Sequence, residues 1–410
     1  MQFNILNTNA ERSLAHVEEI ANIAPIQGAD RIAMAQILGW RCIIAKEEFK
    51  VGDKCIYFEI DSLVNKEDER FAFLEKKGYK VKTMKLGKFN VISQGLAMPL
   101  SEFPELGDLP VGTDVTKKLK VTYYNAEDRK RKSAGPDPDA KYKSMAARHK
   151  ELFRKRPIRW LMRRGWGKKL LFVFFGKKRD NPKRMPSWIK RSDEIRCENI
   201  PWILEDRYKR YSVTEKADGS STTFAFEKQK NGYDFIVCSR NVRQKDRDQE
   251  CYHELNVYWE MADKYNIEEK LLKFAKKYNV NQMYLQGETV GAKVQGNPYN
   301  MGVRNFYAFN LVVDGIRYDN EQLFEWCETY EIPHVPLIYK NHQLPDNMDD
   351  LKAEAHGQSI LNPAVLREGL VYRDESDPHL SFKNVDVDYL MKQQKREEKE
   401  EKEECSDNQS

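Results

Sequence analysis

The 410-residue chain contains no apolar run approaching the ~18 residues that a membrane-crossing helix requires, so no helical span is expected. Its opening residues, Met1-Gln2-Phe3-Asn4, lack the basic-then-apolar pattern of a secretory leader. Seven scattered cysteines (42, 55, 197, 238, 251, 327 and 405) form no C-x-x-C pair. Neither a zinc site nor a disulfide framework is therefore expected, and the thiols read as reduced, in the cytoplasm or nucleus. No internal repeat is visible. Acidic residues are nearly missing from one stretch: between Lys141 and Arg191 there are 19 Lys and Arg against 2 Asp and Glu, in a chain whose net charge is only +5.

That basic block is interleaved with Trp160, Trp166, Phe172 and Trp188, a combination suited to a phosphate backbone. Residues 1–115 read as β-rich. Short strand-like runs such as Ala33–Leu38 and Lys54–Ile60 are separated by Gly39-Trp40 and Gly52-Asp53, which predicts a small barrel of the OB type. Residues 116–182 form a basic linker or insert. It begins with the flexible-looking Ser133–Pro138, and its apolar run Leu170–Phe175 is expected to lie on a buried strand or helix face. Residues 183–392 mix strands with helical patterns at 247–279 and 320–330. The charged tail 393–410 is expected to be disordered and dispensable for chemistry. The basic runs Arg129–Lys132 and Lys177–Arg179 fit either nuclear import or RNA contact.

The chemistry-bearing feature is Thr214-Glu215-Lys216-Ala217-Asp218-Gly219-Ser220, which sets a lysine between two strand-like runs. Such a lysine can attack phosphorus once it is deprotonated and its substrate's charge is neutralised. It then needs carboxylates for a divalent metal, cations for phosphates, and a platform for a base. Downstream, Glu288 and Glu368 each sit beside a glycine at a strand-like segment, Lys383 lies in Ser381-Phe382-Lys383-Asn384, and Phe309 lies in an apolar strand. A cation near Lys216 would favour its neutral form.

Taken in order, Glu215–Ser220, Ser239-Arg240-Asn241, Gly287-Glu288, Phe306–Leu311, Glu368–Val371 and Phe382-Lys383 resemble the motif series of covalent nucleotidyltransferases. These are the DNA ligases, RNA ligases and mRNA capping enzymes. The N-terminal elements Pro25–Ile32, Gly39-Trp40, Phe49–Asp53 and Ser93–Leu100 narrow the likeness to RNA ligases of the Deinococcus/Naegleria type, which place an OB-like domain before the transferase domain. The implied fold is α+β: an N-terminal OB-like β-barrel, then an ATP-grasp-like ligase adenylation domain of antiparallel sheets and helices.

The resemblance implies that Lys216 attacks the α-phosphate of ATP to form a lysyl-adenylate, with Lys383 contacting that phosphate. It implies nucleotide contacts from Glu215, Asp218, Gly219, Arg240, Glu288, Phe309 and Glu368. Gly219 would allow close backbone approach, Arg240 would meet the ribose or the phosphorylated end, and Glu288 the ribose hydroxyls. Phe309 would stack on adenine, with Phe306 as the alternative. Glu368 and Asp218 would hold magnesium, or manganese, mainly through water. The chain departs from the pattern at Val385, where many relatives carry a second lysine. The expected function is ATP-dependent joining of RNA 3′-hydroxyl and 5′-phosphate ends in RNA repair, on RNA such as a nicked duplex, by a monomer with no membrane partner. A DNA ligase, an RNA guanylyltransferase or a non-catalytic RNA-binding protein are the alternatives.

Overall fold

The computed structural model describes residues 12–124, 142, 150–175, 184–244 and 256–407. Ser133–Pro138, Arg129–Lys132, Lys177–Arg179, the first part of the 247–279 pattern and the last three residues lie outside the described residues. In the N-terminal region β1 (Ala15–Glu19), β5 (Lys54–Phe58) and β9 (Leu96–Pro99) form one antiparallel sheet, and β2 (Asn22–Pro25), β3 (Ile32–Ile37) and β4 (Trp40–Ala45) form another. Two small pairs complete it: β6 (Ser62–Leu63) with β10 (Thr122–Tyr123), and β7 (Met84–Leu86) with β8 (Val91–Ser93). Alternation drives the layering. Along β4 the side chains of Trp40, Cys42 and Ile44 turn inward while Arg41 and Ala45 face water. This is the expected OB-fold domain.

Three helices follow, α1 (Lys150–Phe153), α2 (Arg156–Met162) and α3 (Gly165–Phe175). The run Leu170–Phe175 is thus helical; Leu171 is buried, but Val173 and Phe174 are exposed.

The C-terminal region is built on two five-stranded sheets. One has the order β11 (Ile195–Arg196), β20 (Ser381–Val385), β19 (Gly369–Asp374), β12 (Tyr211–Lys216), β18 (Leu337–His342), antiparallel except for the β11–β20 pair. The other runs β14 (Gly232–Ser239), β13 (Ser220–Gln229), β15 (Gln282–Val290), β16 (Asn305–Val313), β17 (Ile316–Arg317). Helices α4 (Val257–Lys264), α5 (Ile267–Tyr278) and α6 (Asn320–Thr329) cover the second sheet, and α7 (Met348–Glu354) packs beside β20. The spacing of Ile267, Leu271, Phe274 and Ala275 gives α5 a single buried stripe, and a capping box of Asp319 and Gln322 starts α6. The single pattern expected over 247–279 is broken between α4 and α5, where Asn266 takes a left-handed conformation.

The tail expected to be disordered is instead helical: α8 runs Val387–Asp407. Its first turn is pinned by buried Tyr389 and Leu390, and beyond Gln393 it is rich in Glu, Lys and Arg, which have high helix propensity. Lys82 of the OB-fold domain also pairs with Glu398 at 2.9 Å.

The two halves are wired together. The backbone N–H of Gly39 donates to the Glu198 carbonyl at 2.8 Å, and the Trp40 indole donates to Asn199. A Cβ on Gly39 would stand 2.8 Å from the Glu198 backbone, so only glycine permits this approach. Val385 and Leu390 are buried within the OB-side cluster that holds Trp40, Cys55 and Tyr57.

Candidate active site

The K-x-D-G segment is the corner between the two sheets. β12 ends at Lys216 and β13 starts at Ser220, so the chain crosses from one sheet to the other within three residues. That crossing explains Gly219: a Cβ there would meet the Thr289 carbonyl of β15 at 2.2 Å. The close backbone approach expected of Gly219 is therefore made to a neighbouring strand of the protein itself.

Strand register then assembles the charged groups. Lys216 lies opposite Gly369, which brings the preceding Glu368 to the lysine, and Lys216 Nζ donates to Glu368 Oε1 at 2.6 Å. Ser221 pairs with Glu288, delivering the second glutamate from the other sheet. Val371 pairs with Lys383, and Lys383 with Arg196, so two cations stand on adjacent strands beyond the lysine. Asp218 is held at both ends: its backbone N–H donates to the Tyr299 hydroxyl at 2.8 Å, and its Oδ2 accepts from Tyr389 of α8 at 2.6 Å.

The electrostatics divide the site in two. Burial pushes Asp218 up to about 6 and Glu288 up to about 8, and the neighbouring carboxylates, Glu368 among them, add to both. Glu368 Oε2 is buried without a hydrogen-bond partner. Mutually repelling carboxylates with a spare buried oxygen fit a divalent cation. Among the described residues no three His, Cys, Asp or Glu side chains converge into a direct ligand set, so the fit is to an ion that keeps waters. On the other side, burial pulls Lys383 down to about 7, with Arg196 and Lys216 contributing like-charge repulsion. Arg196 is itself buried, its Nε and Nη1 have no hydrogen-bond partner, and its nearest acid, Asp61, is 4.0 Å away. Two undercompensated cations side by side make an anion pocket.

Lys216 itself departs from expectation. Burial lowers its pKa, but Glu368, with Asp218 and Glu288, outweighs burial and holds it above the ordinary lysine range. The direct ion pair with Glu368 is the main reason.

Of the remaining residues, Phe309 is half-buried beside Ala217, Val290, Tyr299 and Val335, with Tyr307 and Leu361 on the same apolar surface. It is the extra residue of a bulge in β16, since Gln286 pairs with Asn310 but Gly287 with Ala308. Phe306 is fully buried against Phe224 in the helix-covered core, which removes it as the alternative platform. Glu215 is buried, and both of its oxygens are occupied, one by the Ser359 hydroxyl and the other by the Ile360 N–H at 2.7 Å. It anchors the loop that carries Leu361. Arg240 is more than half exposed and pairs with Asp193 at 2.6 Å, at the mouth of the site. A separate hollow bordered by Trp202, Glu205 and Lys209 contains none of these groups.

Sequence reasoning did not find Arg196, Tyr299, Tyr307 or Tyr389. Val385, in the position of the missing second lysine, points into the OB-side apolar cluster.

Comparison with known proteins agrees with this geometry. A family profile for RNA ligase matches residues 209–392, and one for an OB-fold domain matches residues 14–100. No curated protein matches the sequence. Among solved structures, RNA ligase of Naegleria gruberi in complex with PPi superposes with a TM-score of 0.72 at 27% identity, covering 93% of this chain and 99% of that one. A variant of the same ligase with AMP and Mn gives a TM-score of 0.71 at 27% identity over 93% and 99% of the two chains. An apo variant gives 0.71, also at 27% identity, over 93% and 98%. An OB-fold domain leading into a transferase domain whose lysine, acids and paired cations converge on one corner is the architecture of the Naegleria gruberi RNA ligase, and with the RNA ligase profile over residues 209–392 it marks the chain as an enzyme that forms phosphodiester bonds.

Proposed function

We propose that the chain is an ATP-dependent ligase that seals RNA 3′-hydroxyl/5′-phosphate breaks through a lysyl-AMP on Lys216 and an AMP-capped 5′-end. The observation that carries this is the placing of Lys216 between a cluster of three carboxyl groups, one of which it pairs with, and the adjacent cations Lys383 and Arg196. Solved forms of the Naegleria gruberi ligase hold ATP with Mn, AMP with Mn, or PPi, which supports reading the carboxylates here as a metal side and the cations as a phosphate side.

In the first step Lys216 Nζ, having given up a proton, forms a P–N bond to the α-phosphorus, and the bond to the leaving pyrophosphate breaks. Glu368 accepts the lysine's hydrogen bond and orients the amine. A divalent ion bound through waters to Glu368 and Asp218, magnesium or manganese, would offset the acids that keep Lys216 charged and would withdraw charge from the phosphate. Lys383 contacts the α-phosphate and balances its developing charge, and Arg196 beside it extends that positive field toward the leaving pyrophosphate. Phe309 and Tyr307 give adenine an apolar wall, Glu288 receives the ribose hydroxyls, and Arg240 at the mouth meets the RNA end. The 5′-phosphate oxygen next displaces Lys216 from AMP. The 3′-hydroxyl then attacks the capped phosphate and AMP leaves.

The role we assign is repair of broken RNA, with a nick held in a duplex as the substrate and a monomer as the acting form. No helix among the described residues is long and apolar enough to cross a membrane. The five cysteines with described side chains are buried and free, which suits the cytoplasm or nucleus. Lys216→Ala is expected to abolish transfer of label from α-labelled ATP to the protein; a variant that still becomes labelled would overturn the assignment.

A further inference from the structure

Helices α1–α3 form a small body with its own core, in which Tyr142, Phe153 and Leu171 are buried and Ile158, Leu161 and Phe172 pack against them. This body lies outside both family matches, which end at residue 100 and resume at 209. Part of its apolar surface stays outside that core: Leu170, Val173 and Phe174 of α3 are exposed, and so are two tryptophans, Trp160 at 50% and Trp166 at 55%. Their rings meet edge to face at 6.2 Å, and the Arg164 guanidinium lies 4.1 Å from the centre of the Trp160 ring. Residues 152–175 contain eight Lys and Arg and no Asp or Glu. Arg159, Arg163, Arg164 and Lys169 take part in no ion pair among the described residues.

Crowded cations without counter-charges repel one another, so the arrangement is at its most stable when a polyanion lies across it. Exposed aromatic rings among those cations add stacking surfaces for bases, the two ingredients of single-stranded nucleic-acid binding. An anionic lipid surface would also meet the charge, and Val173 and Phe174 are exposed near the end of α3. A membrane-seeking helix, however, separates its apolar face from its basic face. Trp166, Leu170, Val173 and Phe174 of α3 share one exposed apolar face, but on α2 the exposed Trp160 ring lies under the Arg164 guanidinium, a mixed ring-and-cation surface that suits a base rather than an acyl chain. We infer that α1–α3 are an RNA-binding platform that grips a single-stranded tract of the substrate away from the reacting ends. The inference rests on the RNA-sealing function proposed above.

The test uses the full chain carrying Arg159→Gln, Arg163→Gln, Arg164→Gln and Lys169→Gln together, and a second variant carrying Trp160→Ala and Trp166→Ala. Self-labelling by α-labelled ATP reports correct folding and is expected to be unchanged in both. Binding of a short fluorescent single-stranded RNA is followed by anisotropy between about 50 and 200 mM salt. The quadruple variant should bind 10-fold or more weakly at low salt, and its log–log salt slope should fall by up to about 3, at ~0.7 per lost phosphate contact. The tryptophan variant should lose affinity with its slope unchanged, and sealing by both variants should need more RNA at an unaltered maximal rate. Unchanged affinity and slope in variants that still label would refute the platform. So would loss of binding to phosphatidylserine-containing vesicles with RNA binding intact. Failure of the wild-type chain to label, with the salt-dependent RNA binding present, would refute the ligase reading and leave the platform standing.

Discussion

Replacing Lys383 by methionine should make the ligand-free protein more stable, and more so at low pH. The lysine is pulled down to about 7, chiefly by burial and then by Arg196 and Lys216. An unfolded chain keeps it charged up to its ordinary value of about 10.4. Below pH ~7 both states carry the proton and the folded state bears the full cost of the buried ammonium. Between about 7 and 10.4 the folded protein sheds the proton and the cost fades, so this lysine makes stability rise with pH. The whole shift corresponds to roughly 5 kcal/mol at 1.36 kcal/mol per unit, and partial solvent contact reduces this to on the order of 2 kcal/mol. Methionine removes the charge and keeps the length. Urea unfolding of both proteins at about pH 6 and pH 9.5 should show a gain of ~2 kcal/mol at the lower pH and well under 1 at the higher. A gain that is equal at both pH values, or a loss at pH 6, would refute the claim that Lys383 is an undercompensated cation. The same substitution should weaken ATP binding and abolish the proton uptake that accompanies it near pH 8, as read by calorimetry in buffers of different ionisation enthalpy.

Val385→Lys, which restores the residue many relatives carry, should not improve activity. The side chain is buried in the OB-side cluster, so the change forfeits about 1.5 kcal/mol of apolar burial and buries an ammonium, a loss of ~3 kcal/mol or more by urea unfolding. Tyr389→Phe removes the donor to Asp218 Oδ2 and should slow single-turnover labelling about tenfold, the worth of one hydrogen bond to a charged group, while unfolding moves by less than about 1 kcal/mol.

Lys216, Asp218, Glu288, Glu368 and Lys383 were legible because each sits in a short run whose residue types carry their own chemistry. Strand register is what brings these residues together, and register is not written in the runs themselves. Arg196 was not legible. It belongs to a two-residue edge strand, and nothing local distinguishes it from any surface arginine until β20 places it beside Lys383. Tyr389 was hidden at the head of a charged tail that reads as disordered, although it is this head that anchors the helix. The choice between Phe306 and Phe309 turned on one bulged residue, which periodicity leaves open. The charge of Lys216 was misjudged for a related reason: the sign of a pKa shift depends on which neighbour the group pairs with, and sequence order does not encode that contact.

Val385 and Leu390 close the apolar cluster of a domain that began about 370 residues earlier, at Ala15. During synthesis one apolar cluster of the OB-fold domain, that of Leu14 to Val121, can close on its own, whereas the other stays open on one side until residues 385–390 have been made. Hybrids that exchange the N-terminal domain between relatives inherit the same constraint. The unit of exchange is the first hundred or so residues together with the strand end and helix start at 385–390, and a graft cut only between the domains would leave an open apolar face on each side of the cut.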